Sequence, residues 1–127
     1  MPYSLCWEPG GVYKQFTGAV SGAELVRSVI EVAHDYRFDS ARYEVSDYLA
    51  AESTSFDQEA LNEVRAVRMA AYSRNPHARL AIVTLDPAMQ QRIFSTLAAR
   101  LSMDQTRIFT NLADANQWLG RSLTELA

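Results

Sequence analysis

The sequence predicts an α/β domain: a mostly parallel sheet opened by an N-terminal hairpin, in the order ββαβαβαβα, with about four helices. Three observations carry this. Apolar stripes at helical spacing alternate with short apolar runs, the pattern of a layered α/β fold. Helix-start residues stand directly after several of those runs. One run, Leu80 to Leu85, is apolar on both faces, as a strand covered by layers on both sides must be.

Tyr3 to Glu8 and Val12 to Ala19 read as two strands around the turn Glu8-Pro9-Gly10-Gly11, where proline presets one dihedral and glycine tolerates the reversed one. Val12, Phe16 and Gly18 share a face of the second strand, with Lys14 expected at an exposed or edge position. Cys6, in the first strand, is expected as a small buried hydrophobe rather than a reactive thiol. Ser21-Gly22-Ala23-Glu24 has the form of a capping box. Leu25, Val26, Val29, Ile30 and Ala33 continue it as one apolar stripe, which fades at His34-Asp35-Tyr36-Arg37.

Arg42 to Leu49 is the third strand. Its odd positions Tyr43 and Val45 lead to Asp47 and Leu49, while Arg42, Glu44, Ser46 and Tyr48 suggest a face that is wet or partly covered. Ala51 to Phe56 reads as a polar bridge containing Ser53-Thr54-Ser55. Ser55 with Gln58 forms a second capping-box pattern, opening a helix from about Phe56 to Tyr72 whose buried side is Ala60, Leu61, Val64, Val67 and Ala71. Asn75-Pro76 ends that helix, because proline cannot extend it. After the central strand, Asp86-Pro87 supplies a cap and a preorganised first residue for a third helix with the stripe Met89, Ile93, Phe94, Leu97 and Leu101. Thr106 to Phe109 is a short last strand. Asn111 then caps a helix packed through Leu112, Ala115, Trp118 and Leu119, with Gly120 placed for its C-terminal cap.

At 127 residues the chain has the size of one domain and can bury a core without a metal or disulfide staple. Its 15 acidic and 12 basic side chains leave a formal charge of −3, too little positive surplus for a nucleic-acid footprint. Arg65, Arg68, Arg74 and Arg79 read as a solvated helix face rather than an anion-binding patch. A lone cysteine permits no intrachain disulfide and no thiolate metal cluster. The beginning of the sequence lacks a basic stretch followed by an apolar one, and no apolar run is long enough to cross a bilayer. The expectation is a cytoplasmic protein that is not integral to a membrane.

In open parallel sheets, ligands meet the carboxyl ends of the strands. Those ends carry Asp47 and Tyr48, Asp86, and Thr110 and Asn111, with Ser53, Thr54 and Ser55 following the third strand. These eight residues form the candidate binding surface. Asp86, Asn111 and Ser55 each also have a plain reading as helix caps. Asp47, on the apolar side of its strand, either bonds to loop amides or is held for a partner. Catalysis finds less support. His34 and His77 lie in linkers away from the serines, and no Gly-x-Ser-x-Gly elbow, metal-ligand spacing, phosphate loop or dinucleotide motif occurs. Asp47 paired with Asp86 is the one acid–base arrangement the spacing leaves open. No catalytic residue, metal or cofactor is assigned.

Several segments together resemble the STAS-like family, whose fold is that of the anti-sigma-factor antagonists, and specifically its stand-alone branch. They are Gly11-Val12-Tyr13 through Phe16-x-Gly18, Glu24-Leu25, Arg37-Phe38-Asp39, Arg42-Tyr43-x-Val45-x-Asp47-Tyr48, and Thr106-Arg107-Ile108-Phe109-x-x-Leu112-x-x-Ala115-x-x-Trp118-Leu119. The resemblance implies a protein-binding switch. In the family's regulatory members a serine near the start of the helix after the third strand is phosphorylated, and the added charge breaks the complex. The matching region is Ser53-Thr54-Ser55; the switch motif itself, an aspartate directly followed by two serines or by serine and glycine, is absent. Related folds bind small apolar or lipid ligands. The expectation is therefore a non-enzymatic regulatory or protein-interaction module, self-association included. A small-molecule or lipid carrier is the alternative, and a small enzyme the more remote one.

Overall fold

A computed structural model describes residues 2–97 and 105–121, apart from the side chains of 94–97. The elements follow the expected order: β1 (Tyr3–Glu8), β2 (Gly11–Ser21), α1 (Gly22–Ala33), a 3-10 turn (Tyr36–Ser40), β3 (Tyr43–Ser55), α2 (Gln58–Arg74), β4 (Arg79–Val83), α3 (Pro87–Leu97), β5 (Thr106–Phe109) and α4 (Leu112–Leu119). Leu101 of the expected α3 stripe, and the side chains of Phe94 and Leu97, lie outside the described residues.

The five strands form one sheet in the order β1-β2-β3-β4-β5, antiparallel between β1 and β2 and parallel thereafter. Because each crossover advances in the same direction, the right-handed rule puts α1, α2 and α3 on one face. There Val12, Phe16, Leu25, Val29, Leu61, Val64, Leu80, Ile82, Met89 and Ile93 make the main core. After β5, α4 crosses to the opposite face and covers Tyr43, Val45, Ala81 and Val83 with Ala115, Leu112, Trp118 and Leu119. Among the described residues the strand order never reverses, so they form no switch-point crevice of the kind doubly wound folds use.

The first capping box forms as read: Ser21 Oγ accepts from the Glu24 amide at 3.2 Å and Glu24 Oε1 accepts from the Ser21 amide at 2.9 Å. Gly120 ends α4 in the left-handed conformation, φ +68°. The hairpin turn differs in detail, since neither Gly10 nor Gly11 has a positive φ. Glycine is needed there for space: a Cβ on Gly11 would strike the Tyr43 carbonyl, and one on Gly10 would meet the Tyr43 ring at 2.9 Å.

Four expectations are corrected. Cys6 is exposed. It sits on the edge strand with Tyr3, Leu5 and Trp7 turned to the core, so alternation points it the other way. Lys14 is fully buried beneath α1, because β2 is an interior strand and Lys14 shares the inward parity of Val12 and Phe16. The even face of β3 is covered, with Glu44, Ser46 and Tyr48 all buried. Finally, the polar bridge is strand: β3 runs on to Ser55, and Asp57 caps α2 instead, its Oδ1 accepting from the Ala60 amide at 2.8 Å.

Candidate functional site

Register fixes where the strand ends lie. Asp47 is level with Val83, and Val83 with Phe109, so Asp47, Thr84 to Asp86, and Thr110 with Asn111 share one rim. Of the serine segment only Thr54 approaches them, across a cleft from Asp86. Ser53 is six residues further along β3, roughly 20 Å at about 3.3 Å per residue.

Two bulges decide which way the outer half of β3 faces. Between Gln15↔Asp47 and Thr17↔Ala50, and again between Gly18↔Ala51 and Ala19↔Ser53, β3 carries one residue more than β2. Each extra residue restores or reverses the alternation. Thr54, level with buried Val20, therefore turns to the α1–α3 side, while Ser53 and Ser55 are exposed on the other. Opposite the second bulge, Gly18 adopts φ +66°.

The eight candidate residues thus divide. Asp47 is buried on the α4 side. Its Oδ1 accepts from the Leu49 amide at 2.8 Å, and its Oδ2 accepts a hydrogen bond from Tyr13 Oη. Burial, then that bond, raises the Tyr13 phenol well above its ordinary value. Tyr48 is buried on the opposite face, stacked on Phe16 with centroids 4.4 Å apart and planes 6° from parallel, and burial raises its phenol too. Thr54 and Asp86 meet across a cleft of 110 Å³ that is also lined by Phe56, Leu61, Ala88, Met89, Arg92 and Ile93. Asp86 Oδ1 accepts from the Ala88 amide at 3.0 Å, as a cap does. Thr110 belongs to an open groove with Pro87, Gln90, Gln91 and Ile108. Asn111 Oδ1 accepts from the Asp114 amide at 2.8 Å, capping α4. Since Asp47 and Asp86 lie on different faces of the sheet, they do not form a carboxylate dyad.

A cluster the sequence does not announce lies beneath α1 and α2. Lys14 Nζ is 3.3 Å from Glu44 Oε2, and Arg68 Nη2 is 3.6 Å from the same oxygen. Tyr72 Oη donates to Glu44 Oε1 at 3.0 Å, Lys14 donates to Ser28 Oγ at 3.2 Å, and Arg68 donates to Ser46 Oγ at 3.4 Å. All six side chains are buried, and Arg68 Nε has no hydrogen-bond partner. Burial pulls the Lys14 ammonium down to about 8 against the opposing attraction of Glu44. For Glu44 burial pushes upward, but the charges of Lys14 and Arg68 prevail and hold the carboxylate below its usual range. Arg68 is thus buried, against the solvated helix face expected of it together with Arg65, Arg74 and Arg79. The signal that could have found the cluster is an opposite-charge pair at inward-parity positions of adjacent strands, Lys14 beside Ser46 and Glu44 beside Val12.

Next to this cluster is a cavity of 30 Å³ lined by Leu25, Tyr48, Phe56, Leu61, Val64, Ile82, Met89 and Ile93, with Arg65 and Arg68 in its wall. It shares Phe56, Leu61, Met89 and Ile93 with the Thr54–Asp86 cleft.

Among the described residues, no group of three or more histidine, cysteine, aspartate or glutamate side chains is arranged to hold a metal ion. No described helix is long and apolar enough to cross a membrane. Fold and surface together define a five-stranded α/β domain with a hairpin start. In comparisons with known proteins, no family model and no curated protein matches the chain.

Proposed function

We propose that the chain is a non-enzymatic regulatory module that engages a protein partner along the outer half of β3. The observation that supports this best is a mismatch in strand length. β3 has 13 residues, yet its pairing with β4 ends at Asp47–Val83. From Leu49 to Ser55 only β2 pairs with it among the described residues, so one edge keeps main-chain donors and acceptors for an added strand. Leu49, Ala50, Glu52, Ser53 and Ser55 are exposed along it, and Leu85, on the loop after β4, is 67 % exposed. The STAS-like resemblance adds to this reading, since it associates the same segment with partner binding and makes Ser53 and Ser55 the accessible hydroxyls for a charge switch. A second copy of the chain, pairing edge to edge, is one form of partner.

Hydrogen exchange tests the proposal. In dilute protein, the Ala50–Ser55 amides that do not pair with β2 exchange as fast as those of a loop. On complex formation they become protected, and a Leu49→Asp, Leu85→Asp double variant that keeps the wild-type circular dichroism loses the complex. Slow exchange across the whole segment in the isolated monomer would overturn the reading.

The apolar cavity beside Tyr48, taken with the 110 Å³ cleft that shares four of its side chains, favours a second reading, a carrier of a small apolar or lipid ligand, because the two together lie between helices.

A further inference from the structure

The wall of this cavity is not uniformly apolar, and on the carrier reading, on which the present inference rests, that departure selects the ligand. Arg68 is 5 % exposed and stands in the wall. Two cations, Lys14 and Arg68, share one carboxylate, Glu44, so the buried cluster holds one positive charge more than it neutralises. The Arg68 contacts are long, 3.6 Å to Glu44 and 3.4 Å to Ser46, and its Nε donates to nothing. Guanidinium donors are arranged to meet a carboxylate two at a time, and a buried cation with a spare donor favours an anion beside it.

The volume beyond Arg68 is built for carbon. Leu25, Leu61, Val64, Ile82, Met89 and Ile93 surround it, and four side chains common to both cavities lie between it and the Thr54–Asp86 cleft. Met89 is one of these four, an unbranched and adaptable side chain of the kind that moves aside at low cost. A space of 30 Å³ admits a water or a small polar head, whereas a chain of several methylenes also needs the 110 Å³ cleft that opens at Thr54 and Asp86.

We propose that the α2–α3 cleft binds an amphipathic monocarboxylate, with its carboxylate at Arg68 and its alkyl chain running between Phe56, Leu61, Met89 and Ile93 toward the Thr54–Asp86 cleft. The carboxylate is placed at Arg68 because that guanidinium holds a buried donor without a hydrogen-bond partner, whereas the Thr54–Asp86 cleft carries a carboxylate, Asp86, together with a cation, Arg92, that already donates to the Phe56 carbonyl.

Calorimetry with three eight-carbon probes, octanoate, octanol and octylamine, and with hexanoate and decanoate, tests this on the full chain. Octanoate is expected to bind at least tenfold more tightly than octanol, and octylamine not at all. Affinity should rise roughly fourfold per added methylene until the cleft is filled. Arg68→Met should abolish the preference for octanoate over octanol. If that variant does not fold, the Arg68 Nε–H resonance of the wild-type protein gives the same information, since octanoate should shift it and octanol should not. Equal binding of octanoate and octanol overturns the anion assignment but leaves the carrier reading standing. Binding of none of the probes overturns both.

Discussion

At the scale of single residues, Lys14, Glu44 and Arg68 carry the largest energetic consequences. A buried ion pair contributes little net stability over a well-packed apolar replacement, but breaking one by removing a single partner is costly. Glu44→Gln leaves two buried cations without a counter-charge and is expected to cost about 3–5 kcal/mol in urea unfolding, with Lys14→Met milder because Arg68 still faces Glu44. The same cluster sets an alkaline pH dependence. The folded Lys14 ammonium titrates near 8 rather than at its ordinary value, so between pH 8 and pH 10 the unfolded chain binds more protons. Stability therefore rises with pH through that window, by at most about 1.4 kcal/mol per pH unit. Above about pH 10 the direction reverses. Tyr3, Tyr13, Tyr43, Tyr48 and Tyr72 all have raised phenol values when folded, Tyr43 up to about 12, so the unfolded chain then releases protons first. Urea melts at pH 7, 8, 9 and 10 should show the rise, and Lys14→Met should flatten it; an equal slope in the variant would mean that another group is responsible. None of this was legible in the sequence. A lysine between Val12 and Phe16 reads as an edge residue until a second strand is known to lie beside it with Glu44 at the matching height.

At the scale of elements, capping was legible in kind and wrong by two residues in one place. Ser55-x-x-Gln58 fits a capping box as well as Asp57-x-x-Ala60 fits a simple cap, and what decides between them is that β3 stays extended to Ser55. Asp57→Ala is expected to cost about 1 kcal/mol, whereas Ser55→Ala should be near neutral, because Ser55 makes no capping bond. Thermal melts of the two variants check the assignment, and equal losses would count against it. The outer half of β3 was illegible for a related reason. Alternation is a signal only where one face is buried, and from Leu49 to Ser55 two bulges break the period while solvent covers most of the segment. The glycines give a second contrast at this scale. Gly18 has no atom near its missing Cβ but a φ of +66°, so Gly18→Ala should cost about 1–2 kcal/mol, from backbone conformation alone. Gly11 has an ordinary φ but no room, and Gly11→Ala must displace β3 at Tyr43; it should destabilise by distinctly more. A ranking with Gly18 the more sensitive would contradict this account of the hairpin.

At the scale of the whole molecule, the order of elements was legible because apolar periodicity and helix-start residues mark each element along the chain. The fastening of α4 on the other face was not, since it joins residues at the two ends of the chain. Arg121, just past the Gly120 cap, donates from Nε and Nη2 to both carboxylate oxygens of Glu8, 113 residues away, at 2.9 and 2.8 Å. It also donates to Asn116 Oδ1 at 2.9 Å and lies over the Tyr13 ring at 4.7 Å. Tyr43 Oη donates to Glu8 Oε1, so β1, β2, β3 and the end of α4 converge on one ion pair. For Glu8, burial pushes the carboxyl upward, but the bonds from Arg121 and Tyr43 outweigh it and hold it below the usual range. The clamp therefore contributes stability above about pH 4.5 that is lost on acidification through the lower folded value. Arg121→Ala strands a buried carboxylate and is expected to cost about 3–5 kcal/mol, while the double variant Glu8→Gln, Arg121→Met should recover much of that loss, because neither side then carries a charge. If the clamp acts on the whole sheet, the single variant lowers the urea midpoint and leaves the slope unchanged, since all the strands still unfold together. A shallower slope or a second transition in Arg121→Ala would instead mean that α4 detaches on its own, and that the clamp holds one helix rather than the fold.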